Sequence, residues 1–238
     1  MQTVFKRYEL KFLLTPQQKK AVLAAMQGHM QLDQYGRTTI RNLYFDTDSY
    51  RLIRRSLERP VYKEKLRIRS YRPAEADEPV FVELKKKYQD VVYKRRLLLR
   101  QSSAIECLSK GIDLPIESQI ANEINYFRHY YQPLAPKVFL SYEREAYYAA
   151  EGGELRVTMD ENILYRREAL SLAAPVYGTP LLPKGGTLME IKTSEAIPLW
   201  LTQCLSSEKI FKTTFSKYGA AYTDMLFRPK KGRISNVG

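Results

Sequence analysis

Three stretches of this chain place a glutamate and a lysine two residues apart around one apolar residue: Glu9-Leu10-Lys11, Glu83-Leu84-Lys85 and Glu190-Ile191-Lys192. Side chains two apart share one face of a β-strand, and the residue between them points to the other face. Arg67-Ile68-Arg69 and Arg156-Val157-Thr158 follow the same scheme without the acid. Repeated on separate strands, the pattern lines one side of a sheet with cations, which repel one another unless water or an anion lies between them. Arginines suit bidentate contacts to phosphate oxygens, lysines act as point charges, and the few carboxylates could hold a divalent metal bridging such oxygens. Phosphoryl transfer asks for little more, because positioning and electrostatic stabilisation carry most of it.

The elements that must position these residues follow from local pattern. Residues 62–96 read as a hairpin: Lys63, Lys65, Arg67 and Arg69 share one face opposite Leu66 and Ile68. After turn signals between Pro73 and Pro79, Phe81, Glu83, Lys85 and Lys87 share a face opposite Val80, Val82 and Leu84. Further strands are predicted over 4–14, 39–46, 137–148, 155–160 and 187–193. Residues 91–99 form a third hairpin partner whose alternation slips, as at a bulge. Helices are predicted after Thr15 with Pro16 at the first position and Ala21, Val22, Met26 and Met30 as the apolar stripe, through Tyr50 and Leu52, over 103–110, from Glu117, after Pro198 and from Ser216. Residues 168–186 read as loop, and the end of the chain as a basic tail.

About eight antiparallel strands, each apolar on one face and charged on the other, predict an α+β fold: an eight-stranded β-barrel enclosing a wet cationic tunnel, with helices packed on its outside. The alternative is an open sheet whose charged face meets solvent. One domain over 1–228 with a tail at 229–238 accounts for the length. The formal charge of +13 points to acidic partners. Cys107 and Cys204 lack metal-ligand spacing and read as free thiols, His29 and His129 read as surface or packing residues in helices, and no apolar run approaches the roughly 20 residues of a membrane span. A soluble cytoplasmic protein is the expectation. No glycine-rich phosphate loop, G-x-S-x-G or recognition helix is present, and specific nucleic-acid binding is disfavoured.

The ordered motifs RYELK, YFD, LRIR, FVELK, YERE, LRVTMD, MEIK and FSKYG, spanning residues 7–222, resemble the VTC (vacuolar transporter chaperone) domain. This is the polyphosphate polymerase branch of the CYTH-like, triphosphate tunnel metalloenzyme superfamily. The resemblance implies transfer of the terminal phosphate of ATP to a growing polyphosphate chain inside the tunnel, with Mn2+ or Mg2+ as cofactor. By the same resemblance Lys11, Arg67, Arg69, Lys85, Arg144, Arg156, Ser216 and Lys217 bind phosphate, with Lys94, Lys192 and Lys212 as weaker matches. Tyr142 matches the aromatic that stacks on the nucleotide base, and Glu190 the metal-binding carboxylate. Glu9 and Glu83 are further metal candidates that bring the chain nearer its hydrolytic relatives. A metal-dependent triphosphatase and a non-catalytic polyphosphate-binding module are therefore the alternatives.

Overall fold

A computed structural model describes residues 8–89 and 91–227. The predicted start of the first strand at 4–7 and the basic tail lie outside the described residues. The elements in order are β1 (Tyr8–Leu14), α1 (Pro16–Ala25), β2 (Met30–Leu32), β3 (Thr38–Asp46), α2 (Arg51–Leu57), β4 (Tyr62–Ser70), β5 (Pro79–Tyr88) and β6 (Val91–Arg100). They continue as α3 (Gln101–Lys110), α4 (Gln119–Tyr131), β7 (Ala135–Ala149), β8 (Arg156–Arg166), β9 (Thr179–Pro180), β10 (Thr187–Thr193), α5 (Leu199–Ser207), β11 (Lys212–Thr213) and α6 (Lys217–Phe227).

The strands join one antiparallel sheet in the order β11-β1-β10-β8-β7-β3-β4-β5-β6, with β2 on β7 and β9 on β8. Two of the Glu-x-Lys triplets set their own register. Glu9 lies opposite Lys192 and Lys11 opposite Glu190, so each acid faces a lysine across the ladder. In the hairpin Lys65 faces Lys85 and Arg67 faces Glu83, as the alternation requires. The slip predicted in β6 does not occur, since β5 and β6 pair without interruption from Tyr88–Val91 to Pro79–Arg100. The irregularities fall instead at Tyr44/Phe45 against β7 and at Ser141/Glu143 against β8.

Side-chain contacts report the curvature. In a flat sheet β1 and β5, six strand spacings apart, would lie about 29 Å from each other. Lys85 Nζ on β5 nevertheless lies 3.4 Å from Glu9 Oε2 on β1. The sheet therefore curls until its charged face meets itself. Among the described residues the ladder does not close, so the expected eight-stranded barrel is corrected to an eleven-stranded curled sheet. β11 has two residues and cannot pair along the ten of β6, and side chains bridge the wings in place of backbone hydrogen bonds.

Four helices cover the convex face. α1 and α5 bury Val22, Met26, Leu201 and Leu205 against Phe12, Val157, Met189 and Ile191, while α3 and α4 bury Ala104, Leu108, Ile124 and Phe127 against Leu66, Ile68, Val82 and Leu84. The expectation that every helix lies outside fails for two of them. Ile53 of α2 and Tyr218 and Ala221 of α6 pack with Tyr44, Leu140, Tyr142 and Leu188, which belong to the inward face, so these helices floor the hollow. Thr15 caps α1, as predicted, and does so through a capping box with Gln18, but the helix stops at Ala25. Met30 belongs to β2, and His29 lies in the turn between, its ring stacked on Trp200 at 4.6 Å. Cys107 and Cys204 are free thiols, as expected. Among the described residues no helix is long and apolar enough to cross a membrane.

Candidate anion-binding site

Curling brings side chains from β1, β3 to β8, β10 and the start of α6 to one hollow. Two acid-centred clusters organise it. In the first, Arg144 grips Asp160 with Nε and a terminal nitrogen, both at 2.6 Å, and Lys217 Nζ reaches the same carboxylate at 2.5 Å. Lys217 also lies 3.3 Å from Glu190, whose carboxylate is approached by Lys11 at 3.5 Å, Lys192 at 3.6 Å and Arg144 at 3.8 Å. Burial opposes ionisation of Glu190, but Lys217, Lys11, Lys192 and Arg144 more than offset it and hold its carboxyl well below the usual range.

The second cluster centres on Glu83. Arg67 contacts it at 2.7 Å, Lys94 at 2.8 Å, Arg96 at 3.3 Å and Arg69 at 3.7 Å. Burial again works against the charge, and Arg67, Arg69 and Lys94 bring the carboxyl down to about 2. The arginines are aimed by tyrosines and an amide: Arg67 donates to Tyr44 Oη at 2.9 Å, and Arg69 to Tyr142 Oη and Asn42 Oδ1 at 3.0 Å each. Between the clusters Glu9 joins the wings through Lys11 at 3.2 Å and Lys85 at 3.4 Å. It too is brought to about 2, the desolvation of burial being outweighed by Lys85 and Lys11.

The N-terminus of α6 completes the hollow. Ser216 Oγ accepts the Gly219 backbone N–H at 3.1 Å as a cap and lies within hydrogen-bond distance of Lys65 Nζ, at 2.8 Å. Lys11 donates to the Phe215 carbonyl at 3.0 Å. The positive end of the helix thus adds to a field already cationic.

Most residues singled out from the sequence converge here: Lys11, Arg67, Arg69, Lys85, Lys94, Arg144, Glu190, Lys192, Ser216 and Lys217, with Glu9 and Glu83. Arg156 lies opposite Lys192 but is exposed, at the rim. Lys212 is not brought in. It pairs with Phe12, a convex-face core residue, and is itself exposed. Tyr142 is 2% exposed, with Lys217 and Arg144 at 4.6 and 5.1 Å from its ring centre, so the ring serves these cations and offers no open face. Asp160, Arg96, Tyr44 and Lys65 were given no phosphate-binding or metal role from the sequence. Three of them carried a signal: Asp160 ends the LRVTMD motif, Lys65 shares the face of Arg67, and Tyr44 lies in YFD.

The carboxylates differ in their fitness for a divalent ion. Glu83 is committed to Arg67 and Lys94 at under 3 Å and acts as a counter-charge. Glu190 is held only at 3.3 Å and beyond, and Glu9 shares Lys11 with it, so these two retain hard oxygen donors that suit a divalent ion also bound by phosphate. Among the described residues no three His, Cys, Asp or Glu side chains form a ready-made metal cluster.

A curled antiparallel sheet with a cationic inner face and a helix N-terminus inside it is a triphosphate-tunnel fold. A model of the VTC domain matches residues 6–226, and the chain belongs to the VTC domain family. No curated protein matches the sequence. A solved structure from Bacillus halodurans, described provisionally as an adenylate cyclase, aligns with a TM-score of 0.54 at 16% identity, covering 89% of this chain and 95% of that one. A Vibrio parahaemolyticus protein described in the same way aligns at 0.46 and 10% identity, covering 95% and 100%. At such identity the first likeness establishes a shared fold.

Proposed function

We propose that this chain is a polyphosphate polymerase that transfers the terminal phosphate of ATP to a growing phosphate chain held in the hollow. One observation carries the reading: lysines and arginines from five or more strands and one helix start converge on a single concavity, where among the described residues cations outnumber carboxylates by more than two to one. A linear polyanion is the ligand whose charge is distributed to match. Arg67, Arg69 and Arg144 would orient phosphate oxygens bidentately, and Lys11, Lys85, Lys94 and Lys217 would spread charge compensation along the chain. Ser216 would offer its hydroxyl beside the α6 amides. Glu190, assisted by Glu9, would hold Mn2+ or Mg2+. When bound, such an ion neutralises phosphate oxygens as a Lewis acid. Glu83 and Asp160 keep the arginines aimed and the empty site folded.

Incubating the purified protein with ATP and Mn2+ and resolving the products on a polyphosphate gel tests the reading. The expected result is a ladder of polymers with ADP. Orthophosphate and ADP without a ladder would make the protein a triphosphatase, and tight polyphosphate binding without turnover a binding module.

A further inference from the structure

One row of lysines crosses the concave face on adjacent strands. Lys65 on β4 stands opposite Lys85 on β5, and Lys85 opposite Lys94 on β6. Neighbours in such a row have Cβ atoms about 5 Å apart, so each ammonium needs a counter-charge. Two of the three find one. Lys94 reaches Glu83 at 2.8 Å and Lys85 reaches Glu9 at 3.4 Å. Among the described residues Lys65 reaches only a hydroxyl, Ser216 Oγ at 2.8 Å. The charged groups that act on it most strongly among the described residues are Lys85 from β5, Lys11 from β1, and Lys63 and Arg67 from its own strand, all cationic, while α6 presents Ser216. Burial first, and then these four cations, lower its ammonium to about 7.

We propose that Lys65 is a further phosphate-binding residue that, above neutral pH, is mostly an uncharged amine while the hollow is empty and takes up a proton from solvent as a phosphate chain arrives. The geometry accommodates both forms. With the amine neutral, the Ser216 hydroxyl donates its proton to Lys65 Nζ while still accepting the Gly219 N–H. Once phosphate oxygens lie nearby, their charge favours the ammonium, which donates to phosphate and to Ser216 Oγ. Binding a polyanion therefore consumes a proton. The empty hollow meanwhile avoids one of its least compensated charges.

This inference rests on the hollow being the phosphate-chain site, and its test separates the two. Tripolyphosphate is titrated calorimetrically into the full chain at pH 8 in two buffers of different ionisation enthalpy. Wild type should take up close to one proton more than Lys65→Arg, whose guanidinium is always charged. Relative to that variant, wild-type affinity should fall by up to about tenfold per pH unit above pH 7, because the proton must be bound at increasing cost. Comparing the two proteins cancels the titration of the ligand itself. Lys65→Met, which removes the same proton site without adding charge, gives the same comparison if the arginine variant does not fold. Equal proton uptake and parallel pH profiles would overturn the role of Lys65 and leave the hollow as the binding site. Failure of wild type to bind tripolyphosphate would overturn both.

Discussion

Arg67 makes the shortest of the ion pairs around Glu83, yet Arg69, Lys94 and Arg96 also surround that carboxylate. Arg67→Ala should therefore leave Glu83 compensated and the fold intact, while removing a charge that the proposed reaction would aim at the transferring phosphate. The expected cost is about 100-fold to 1,000-fold in polymer synthesis with an unchanged melting curve, measured by product gels and thermal unfolding. Asp160 behaves in the opposite way. It is fully buried and satisfies Arg144 and Lys217 together. Asp160→Asn should leave two inward cations with no full counter-charge and destabilise the fold by about 3 to 5 kcal/mol, read from denaturant midpoints. The two substitutions distinguish a charge kept for the ligand from a charge kept for the fold.

At the scale of elements, the hollow owes its floor to α2 and α6. Asp46 at the end of β3 joins them: its carboxylate accepts the backbone N–H groups of Leu52 and Ile53 and the Tyr218 hydroxyl at 2.9 to 3.0 Å. It does for α2 the work of an N-cap from outside the helix. Asp46→Ala should cost about 2 kcal/mol or more, seen in urea unfolding, and should impair phosphate binding because α6 carries Ser216 and Lys217. The loop between β8 and β9 is held otherwise. Buried Arg166 donates to the carbonyls of Ala169, Ser171, Pro175 and Tyr177. Gly178, at φ +150°, lies so close that an added Cβ would sit 2.3 Å from the Tyr165 carbonyl oxygen.

For the whole molecule, the empty hollow is a store of repulsion, offset by carboxylates whose pKa values lie below their unfolded values. Glu9 and Glu83 titrate near 2 when folded, against 4.5 ordinarily. Their contribution to stability is thus complete above about pH 4.5 and is lost as pH falls toward 2. Thermal melts in a pH series should show stability declining through that window. If the hollow is the phosphate-chain site, tripolyphosphate should raise the melting temperature more than chloride at equal ionic strength. An equal effect of both salts would mean screening alone.

The alternation in β1, β4, β5, β8 and β10 determined from the sequence which side chains share a face, because side-chain direction along a strand is set locally with period two. The matching Glu-x-Lys triplets at residues 9–11 and 190–192 likewise prescribed a pairing in which unlike charges oppose. Curvature was not legible there. Whether the charged face turns to solvent or inward depends on contacts such as Glu9 with Lys85 and Lys65 with Ser216, between residues far apart in the chain. The same holds for Lys212, whose cationic character says nothing of the side it faces, and for α2 and α6, whose apolar stripes fit either surface of the sheet. Residue chemistry and strand faces belonged to the sequence. The hollow, its floor and the absence of an acid beside Lys65 among the described residues were decided only when the strands curled, because charge compensation is a property of neighbours in space.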